Sequence, residues 1–419
     1  MSKYDKAGLA MIPSGYKASK VYSLIPNSSV GDFDFTRGST ATRVNKDGLI
    51  ESVATGTPRL DYPLIEGVVQ DCPALLLEPS RTNSIAYSNK FDTYWSLLGL
   101  GTGAAPIINS DNAISPDGTQ NATEVILNVG SGTTTSDRSS IEVNQTVSQG
   151  SDYTISFYIK GKNNGDQLII GSIDGGYELI TLTTEWERYT LTQTAASSPR
   201  AVFIGVRQGV FGTLNSNVEF YLYGAQLEQG SYPTSYIPTS GSAVTRAAET
   251  CNGAGTSDTF NDSEGVLFAE IAALADDGTS RRISLSHATA NTDNRVTIEV
   301  DETASTIKAF MSSGGTTVGS LTAIVDSQTH NNKVALIYKA NTFNIYVNGF
   351  LLDTDPSIAS LPIDLSRLQF EGANGSNPFY GKTKQLITFK EALTDSELED
   401  LTSWDSFNEM ATAQEYSIK

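Results

Sequence analysis

The chain has 419 residues, more than one β-sandwich needs, with a formal net charge of −19, 36 glycines and 18% charged residues. A surface this acidic repels nucleic acid and anionic membrane, and no run of about eighteen apolar residues is present to cross a bilayer, so both are excluded as partners. Gly, Asn, Ser and Asp turns recur between short alternating runs while helical periodicity is scarce, which predicts an all-β protein of two or three domains.

The N-terminus, MSKYDKAGLAMIPSGYK, has no apolar stretch of the kind a secretory signal requires, so the expectation is synthesis in a cytoplasm without such export. Across residues 1–84, short apolar patches (Val21–Ile25, Phe33–Phe35, Leu49–Ile50, Leu75–Leu77) are separated by Gly and Pro. They are too small for a core of their own. The segment is therefore expected to dock: on the next domain, on a symmetry mate or on another protein. Two cysteines, Cys72 and Cys251, are too few for a disulfide framework and are expected to be free and buried.

Residues 85–232 carry strands at sandwich spacing. In SDYTISFYIKG, Ser151 to Gly161, alternation puts Tyr153, Ile155, Phe157 and Ile159 on one face. Trp186 reads as a core or rim anchor. Residues 233–250 form a Pro/Ser/Thr-rich strap, expected to run extended and to mark a domain boundary, so that a fragment starting near Ala248 should fold alone. Residues 251–404 form the second sandwich and residues 405–419 a polar, peripheral tail. Within KVALIYKANTFNIYVNGFLL, Lys333 to Leu352, two turns are expected, at Ala340–Asn341 and Asn348–Gly349. Thr394 with Glu397 predicts a capping box opening a short helix.

Catalytic motifs are missing. His287 and His330 stand far apart without a Cys/His cluster, no G-x-S-x-G elbow occurs, and GSIDGG at 171–176 reads as a turn. The expectation is no enzyme and no required cofactor. Asp276, Asp277 and Asp293 sit in oxygen-rich loops that suit either Ca2+ or plain turns. Sugar binding needs an exposed aromatic face flanked by hydrogen-bonding groups. The candidates are Tyr94 and Trp95, Asp174 with Tyr177, and Phe379 with Tyr380 after GANGSNP; each also has a core-packing reading. Arg37, Arg43, Arg59 and Arg81 concentrate positive charge in the N-terminal segment, where bidentate pairing with carboxylates would fix an assembly contact.

Three stretches carry a resemblance. FTRGSTATRVNKDGLIESVATGTPRLDY followed by CPALLLEPSRTN (35–83), and GAQLEQGSYPTSYIPTSGSAVTRAAE (224–249), resemble segments of bacteriophage virion fibre and surface proteins of tail-fibre or head-fibre type. The 333–401 region resembles the end of a concanavalin A-like, laminin G-like jelly roll. The resemblance implies two tandem jelly-roll sandwiches behind an N-terminal docking segment, on a particle surface and as a homotrimer. It also implies other virion proteins and host surface glycans as partners. A glycan-cleaving depolymerase and a ligand-free spacer are the alternatives.

Overall fold

A computed structural model describes residues 4–415 apart from 63, 66–67, 173–175 and 288–290, so Asp174 lies outside the described residues. The protein is all-β, with two short α-helices, Asp395–Thr402 and Phe407–Ala413, among the described residues. It divides into two compact units. Unit 1 takes Met1–Thr40, Val53–Pro79 and Ala247–Lys419; unit 2 takes Ala41–Ser52 and Ser80–Arg246.

Among the described residues, unit 1 holds an eight-stranded antiparallel sheet. Its order is Phe350–Asp355, Thr342–Val347, Asn332–Lys339, Glu264–Ala273, Gly381–Phe389, Ala74–Leu77 and Arg59–Asp61. Ala7–Met11 also pairs with Gly381–Phe389. A five-stranded sheet (Thr316–Ile324, Thr306–Ser313, Arg295–Val300, Arg281–His287, Leu365–Gln369) shares its core, where Ile283, Leu285, Val296 and Ile298 meet Leu267, Ala269 and Leu336. Both expected turns form. Asn341 (φ 60°), Asn348 (φ 51°) and Gly349 (φ 93°) adopt the positive φ that tight hairpins of this twist demand. The capping box forms as well: Thr394 Oγ1 accepts from Glu397 N at 3.3 Å, and Thr394 N donates to Glu397 Oε2 at 2.9 Å.

Residues 1–84 differ from a separate docking segment. They are shared between the two units, and most of them complete unit 1. The reason lies in strand Gly381–Phe389, whose edge away from Glu264–Ala273 would otherwise leave backbone N–H and C=O groups unpaired. Ala7–Met11 and Ala74–Leu77 fill that edge. Leu9, Met11, Val21, Phe33, Phe35, Leu75 and Leu77 then enter the unit 1 core, each at most 2% exposed. Patches too small for a core of their own are thus missing pieces of another.

A buried charge cluster holds these pieces together. Glu249 accepts from Arg37 Nη1 at 2.7 Å and from Arg59 Nε at 2.9 Å; its Oε2 also takes Arg59 Nη2 and, at 2.9 Å, the Glu78 backbone N–H. Arg59 Nη1 donates to Glu78 Oε2 at 2.7 Å, and Arg37 Nη2 donates to the Ala54 carbonyl at 2.7 Å. Both guanidiniums are fully enclosed. Two cations and two anions balance, which a desolvated cluster requires. Arg37 and Arg59 are therefore spent on intramolecular pairing and are not surface assembly contacts.

Unit 2 is a sandwich of two five-stranded sheets among the described residues. One runs Ser96–Leu100, Arg138–Gln145, Arg200–Arg207, Gln167–Ser172, Gly176–Thr181; the other runs Ile107–Ile114, Gln120–Asn128, Asn217–Gln229, Asp152–Gly161, Glu187–Thr194. Tyr153, Ile155, Phe157 and Ile159 share the inner face, as alternation predicts. Trp186 is half-buried beside a cluster of Tyr158, Tyr223 and Tyr236, its indole N–H donating to the Ile114 carbonyl at 3.1 Å.

The strap is not a loose tether. Thr234, Tyr236, Ile237 and Thr239 are buried in unit 2. Asn83 Nδ2 donates to the Ile237 carbonyl at 3.0 Å, Thr234 N to the buried carboxylate of Glu228 at 3.0 Å, and Arg246 Nη1 to Thr234 Oγ1 at 3.1 Å. Polar strap residues satisfy polar groups on the strand beneath them, so the chain folds down instead of spanning free space. The division between the units falls after Arg246. Within the expected tail, helix Phe407–Ala413 also packs down, with Ala411 and Ala413 buried and Glu409 paired to Lys333 at 3.3 Å.

Both cysteines are free, but Cys72 is exposed, contrary to expectation, whereas Cys251 is buried on the strand paired with Phe33–Thr36. Cys72 precedes Pro73 in the connection leading to Ala74–Leu77, outside the sheet. Burial raises the Cys251 thiol pKa, so the nucleophilic thiolate is scarce there. Alkylation of the native protein should label Cys72 quickly and Cys251 only after unfolding. Equal labelling of both in the native state would contradict this placement.

Candidate functional site

A cleft with polar chemistry on its walls lies in unit 2. It has a volume of about 720 Å³ and is built where three strand ends converge. Strand Asp152–Gly161 supplies Asp152 and Tyr153 with Ser151 before them; the end of Asn217–Gln229 supplies Gln229, followed by Gly230 and Ser231; Arg81–Asn83 and its flanks supply Ser80, Arg81, Thr82 and Ser84. Thr146 completes the wall.

Sequence dictates this arrangement locally. Strand pairing sets Asp152 opposite Thr194, whose hydroxyl donates to Asp152 Oδ1 at 2.6 Å. Gly230 N donates to the Asp152 carbonyl at 2.9 Å, which ties the two strand ends together. The Arg81 guanidinium lies 5.1 Å over the Tyr232 ring and donates from Nη1 to the Ser80 carbonyl at 3.2 Å. Gly230 has φ 141°, and a Cβ there would stand 2.9 Å from Arg81 Nη2, so glycine at this position makes room for the guanidinium. The Tyr153 hydroxyl accepts from Ser148 N at 3.0 Å.

Among the described residues, one guanidinium, one carboxylate, one amide and seven hydroxyls thus line a concave surface. Alternating donors and acceptors at this density match the hydroxyls of a sugar. Asp152 is the one carboxylate among the described lining residues.

The aromatic candidates fall elsewhere. Trp95 is buried at 4% exposure, its ring 5.3 Å from Phe91 and 6.4 Å from Phe157, and Phe379 is 1% exposed beside Phe370. Neither offers a face to a ligand: each sits just ahead of a strand and packs its ring into the core beside other aromatic rings. Tyr94 and Tyr380 pack half-buried against their cores. Tyr177 meets Phe203 edge-on, with ring centroids 5.2 Å apart, while its hydroxyl accepts from Arg207 Nη1 at 2.9 Å.

Arg43 pairs with Glu51 at 2.6 Å, so of the four arginines only Arg81 enters the cleft. Asp277 pairs with Arg281 at 2.7 Å, Asp276 accepts from Ser305 N at 3.1 Å, and Asp293 lies exposed in a turn. Among the described residues these three do not join a group of three or more His, Cys, Asp or Glu placed to hold a metal. Sequence reasoning missed Asp152 and Gly230, which read there as ordinary strand-end residues. Glu78 and Glu249 were also missed, although Glu78 stands in the same unusual block as Arg37 and Arg59, and Glu249 in the other one.

No family model and no curated protein matches the chain. Solved structures are loosely similar to parts of the chain or to most of it. The CBM40 domain of a Ruminococcus gnavus IT-sialidase bound to α2,3-sialyllactose aligns at 15% identity and TM-score 0.29, covering 36% of this chain and 94% of that one. Domains LG4-5 of the mouse laminin α1 chain align at 9% identity and TM-score 0.24, covering 60% and 88%. A Trypanosoma rangeli sialidase in complex with the inhibitor DANA aligns at 10% identity and TM-score 0.30, covering 92% and 82%. At this level of similarity they say nothing about ligand or activity.

Proposed function

We propose that the chain is a non-enzymatic structural protein of a bacteriophage particle surface, a fibre or decoration protein, that holds host surface glycans in the unit 2 cleft. The observation that carries the glycan part is the cleft lining, hydroxyl-rich with Arg81 and Asp152 on its wall. A binding role without catalysis is supported by the single carboxylate there, because glycoside hydrolysis ordinarily uses two. The phage part rests on the sequence resemblance of blocks 35–83 and 224–249. Location on the virion, a homotrimeric state and contacts with other virion proteins belong to the same proposal. Most of residues 1–84 is consumed in the unit 1 sheet and core, so that segment is not a free anchor in this proposal.

Glycan-array screening of the full chain should show saturable retention of a hydroxylated ligand. Asp152→Asn should weaken it about tenfold or more, since a hydrogen bond to a charged group contributes roughly 1.5–3 kcal/mol. A silent array, or an Asp152→Asn and an Arg81→Gln variant that both bind as the parent does, would overturn the cleft assignment.

A further inference from the structure

The five-stranded sheet of unit 1 has a second face, turned away from the core. Alternation places Arg282, Arg295 and Phe310 on it, because their neighbours Ile283, Val296, Ala309 and Met311 point into the core. Register brings them together: Arg282 stands opposite Glu299, Thr297 opposite Phe310 and Phe310 opposite Ser320. The Phe310 ring is half-buried, with the Arg282 guanidinium 5.0 Å and the Arg295 guanidinium 4.6 Å from its centroid.

Two cations converge on one aromatic ring, and among the described residues only Arg282 makes an ion pair. Arg282 Nη2 donates to Glu299 Oε1 at 3.0 Å. Arg295 Nη1 donates to the Gly372 carbonyl at 2.8 Å, and among the described residues no carboxylate pairs with it. The Nε atoms of both arginines are enclosed without an acceptor, so their remaining hydrogen-bonding capacity lies in the Nη groups. Burial, and then Arg282 beside it, lowers the Arg295 pKa to about 10, which still leaves it charged at neutral pH. Glu299, already paired with Arg282, pulls the other way on Arg295, so two cations share one carboxylate, and a partly desolvated excess cation is costly unless a further anion meets it.

The GANGSNP loop closes one side. Gly372 supplies the carbonyl above, Asn377 O accepts from Arg282 N at 2.8 Å, and Asn374 is exposed. A guanidinium beside an aromatic face with an amide nearby is the chemistry for a ring that is apolar on one side and carries a carboxylate.

We propose that this face of unit 1 is a second binding site, separate from the unit 2 cleft, that takes a carboxylated sugar. Phe310 is the platform for the sugar ring, Arg295 takes the carboxylate and Arg282 the adjacent polar edge. The shared chemistry is a carboxylated pyranose ring, found in hexuronic acids and in nonulosonic acids alike.

The test is calorimetric titration of the full chain with methyl β-D-glucuronide, with the methyl glycoside of N-acetylneuraminic acid, and with methyl β-D-glucoside as the neutral control. At least one acidic glycoside should bind saturably and at least tenfold more tightly than the glucoside; which one does so distinguishes the two sources. Arg295→Gln should abolish the preference. Ser320→Glu, at an exposed position beside Phe310, should do the same by placing a carboxylate within reach of the arginines, and it serves if Arg295→Gln fails to fold. Asp152→Asn in the other cleft should leave this binding unchanged, so failure of the unit 2 reading and failure of this one are told apart. Equal binding of acidic and neutral glycosides, no binding of either acidic glycoside, or an unchanged preference in both variants would overturn the proposal.

Discussion

Replacing Glu249 with alanine is expected to destabilise unit 1 by about 3–5 kcal/mol, the range for removing one partner from a buried ion pair. Glu249 accepts from Arg37, Arg59 and the Glu78 backbone at once, with both guanidiniums and its own carboxylate enclosed. Without it, two buried cations face Glu78 alone. Glu249→Gln should also destabilise, because the amide keeps an acceptor but loses the charge that offsets desolvation. Urea unfolding followed by tryptophan fluorescence and circular dichroism gives the number; a loss below about 1 kcal/mol, the scale of an exposed pair, would show that the cluster does not hold the segments together. Replacing all four residues with apolar ones of similar volume is a different experiment and need not destabilise.

A fragment consisting of residues 247–419 is expected not to fold. The sequence predicts the opposite, a sandwich that begins near Ala248 and stands alone. The fragment lacks Ala7–Met11, Arg59–Asp61 and Ala74–Leu77, which leaves one edge of Gly381–Phe389 bare. It also lacks Leu9, Met11, Val21, Phe33, Phe35, Leu75 and Leu77 from the core. Each such side chain contributes about 1.5–3 kcal/mol on burial. Together they exceed or match the roughly 5–15 kcal/mol that keeps a whole domain folded. Dispersed amide signals with a cooperative thermal transition in the isolated fragment would contradict this. Supplying residues 4–79 in trans should restore the β signal if the missing strands are the cause.

Local pattern made much of unit 1 readable. Asn348–Gly349 demanded a hairpin, Thr394 and Glu397 a capping box, and the alternation in 151–161 put the right four side chains into the unit 2 core. These features depend on neighbours a few residues apart. What was not legible depends on pairing across the chain. Nothing near Leu9 or Leu75 announces that its partner strand is Gly381–Phe389, and nothing near Arg59 announces Glu249. The arginine-rich blocks were legible as special, but an internal cluster and an external docking surface call for the same residue types, and only burial separates them. The aromatic pairs misled for a related reason. Both pairs stand in connections just ahead of a strand, and the hydrophobic effect drew Trp95 and Phe379 into the core. The cleft was hidden because serine, threonine and glycine at strand ends look like turn chemistry until three such ends meet.

As proposed above, this protein holds glycan without cleaving it. The most direct measurement incubates the full chain with a host surface polysaccharide and follows both retention on the protein and the appearance of new reducing ends in the same sample. Saturable retention with no rise in reducing ends, and weaker retention in the Asp152→Asn variant, is the predicted result. A steady release of reducing ends by the parent protein, or no retention of any polysaccharide at high protein concentration, would contradict it.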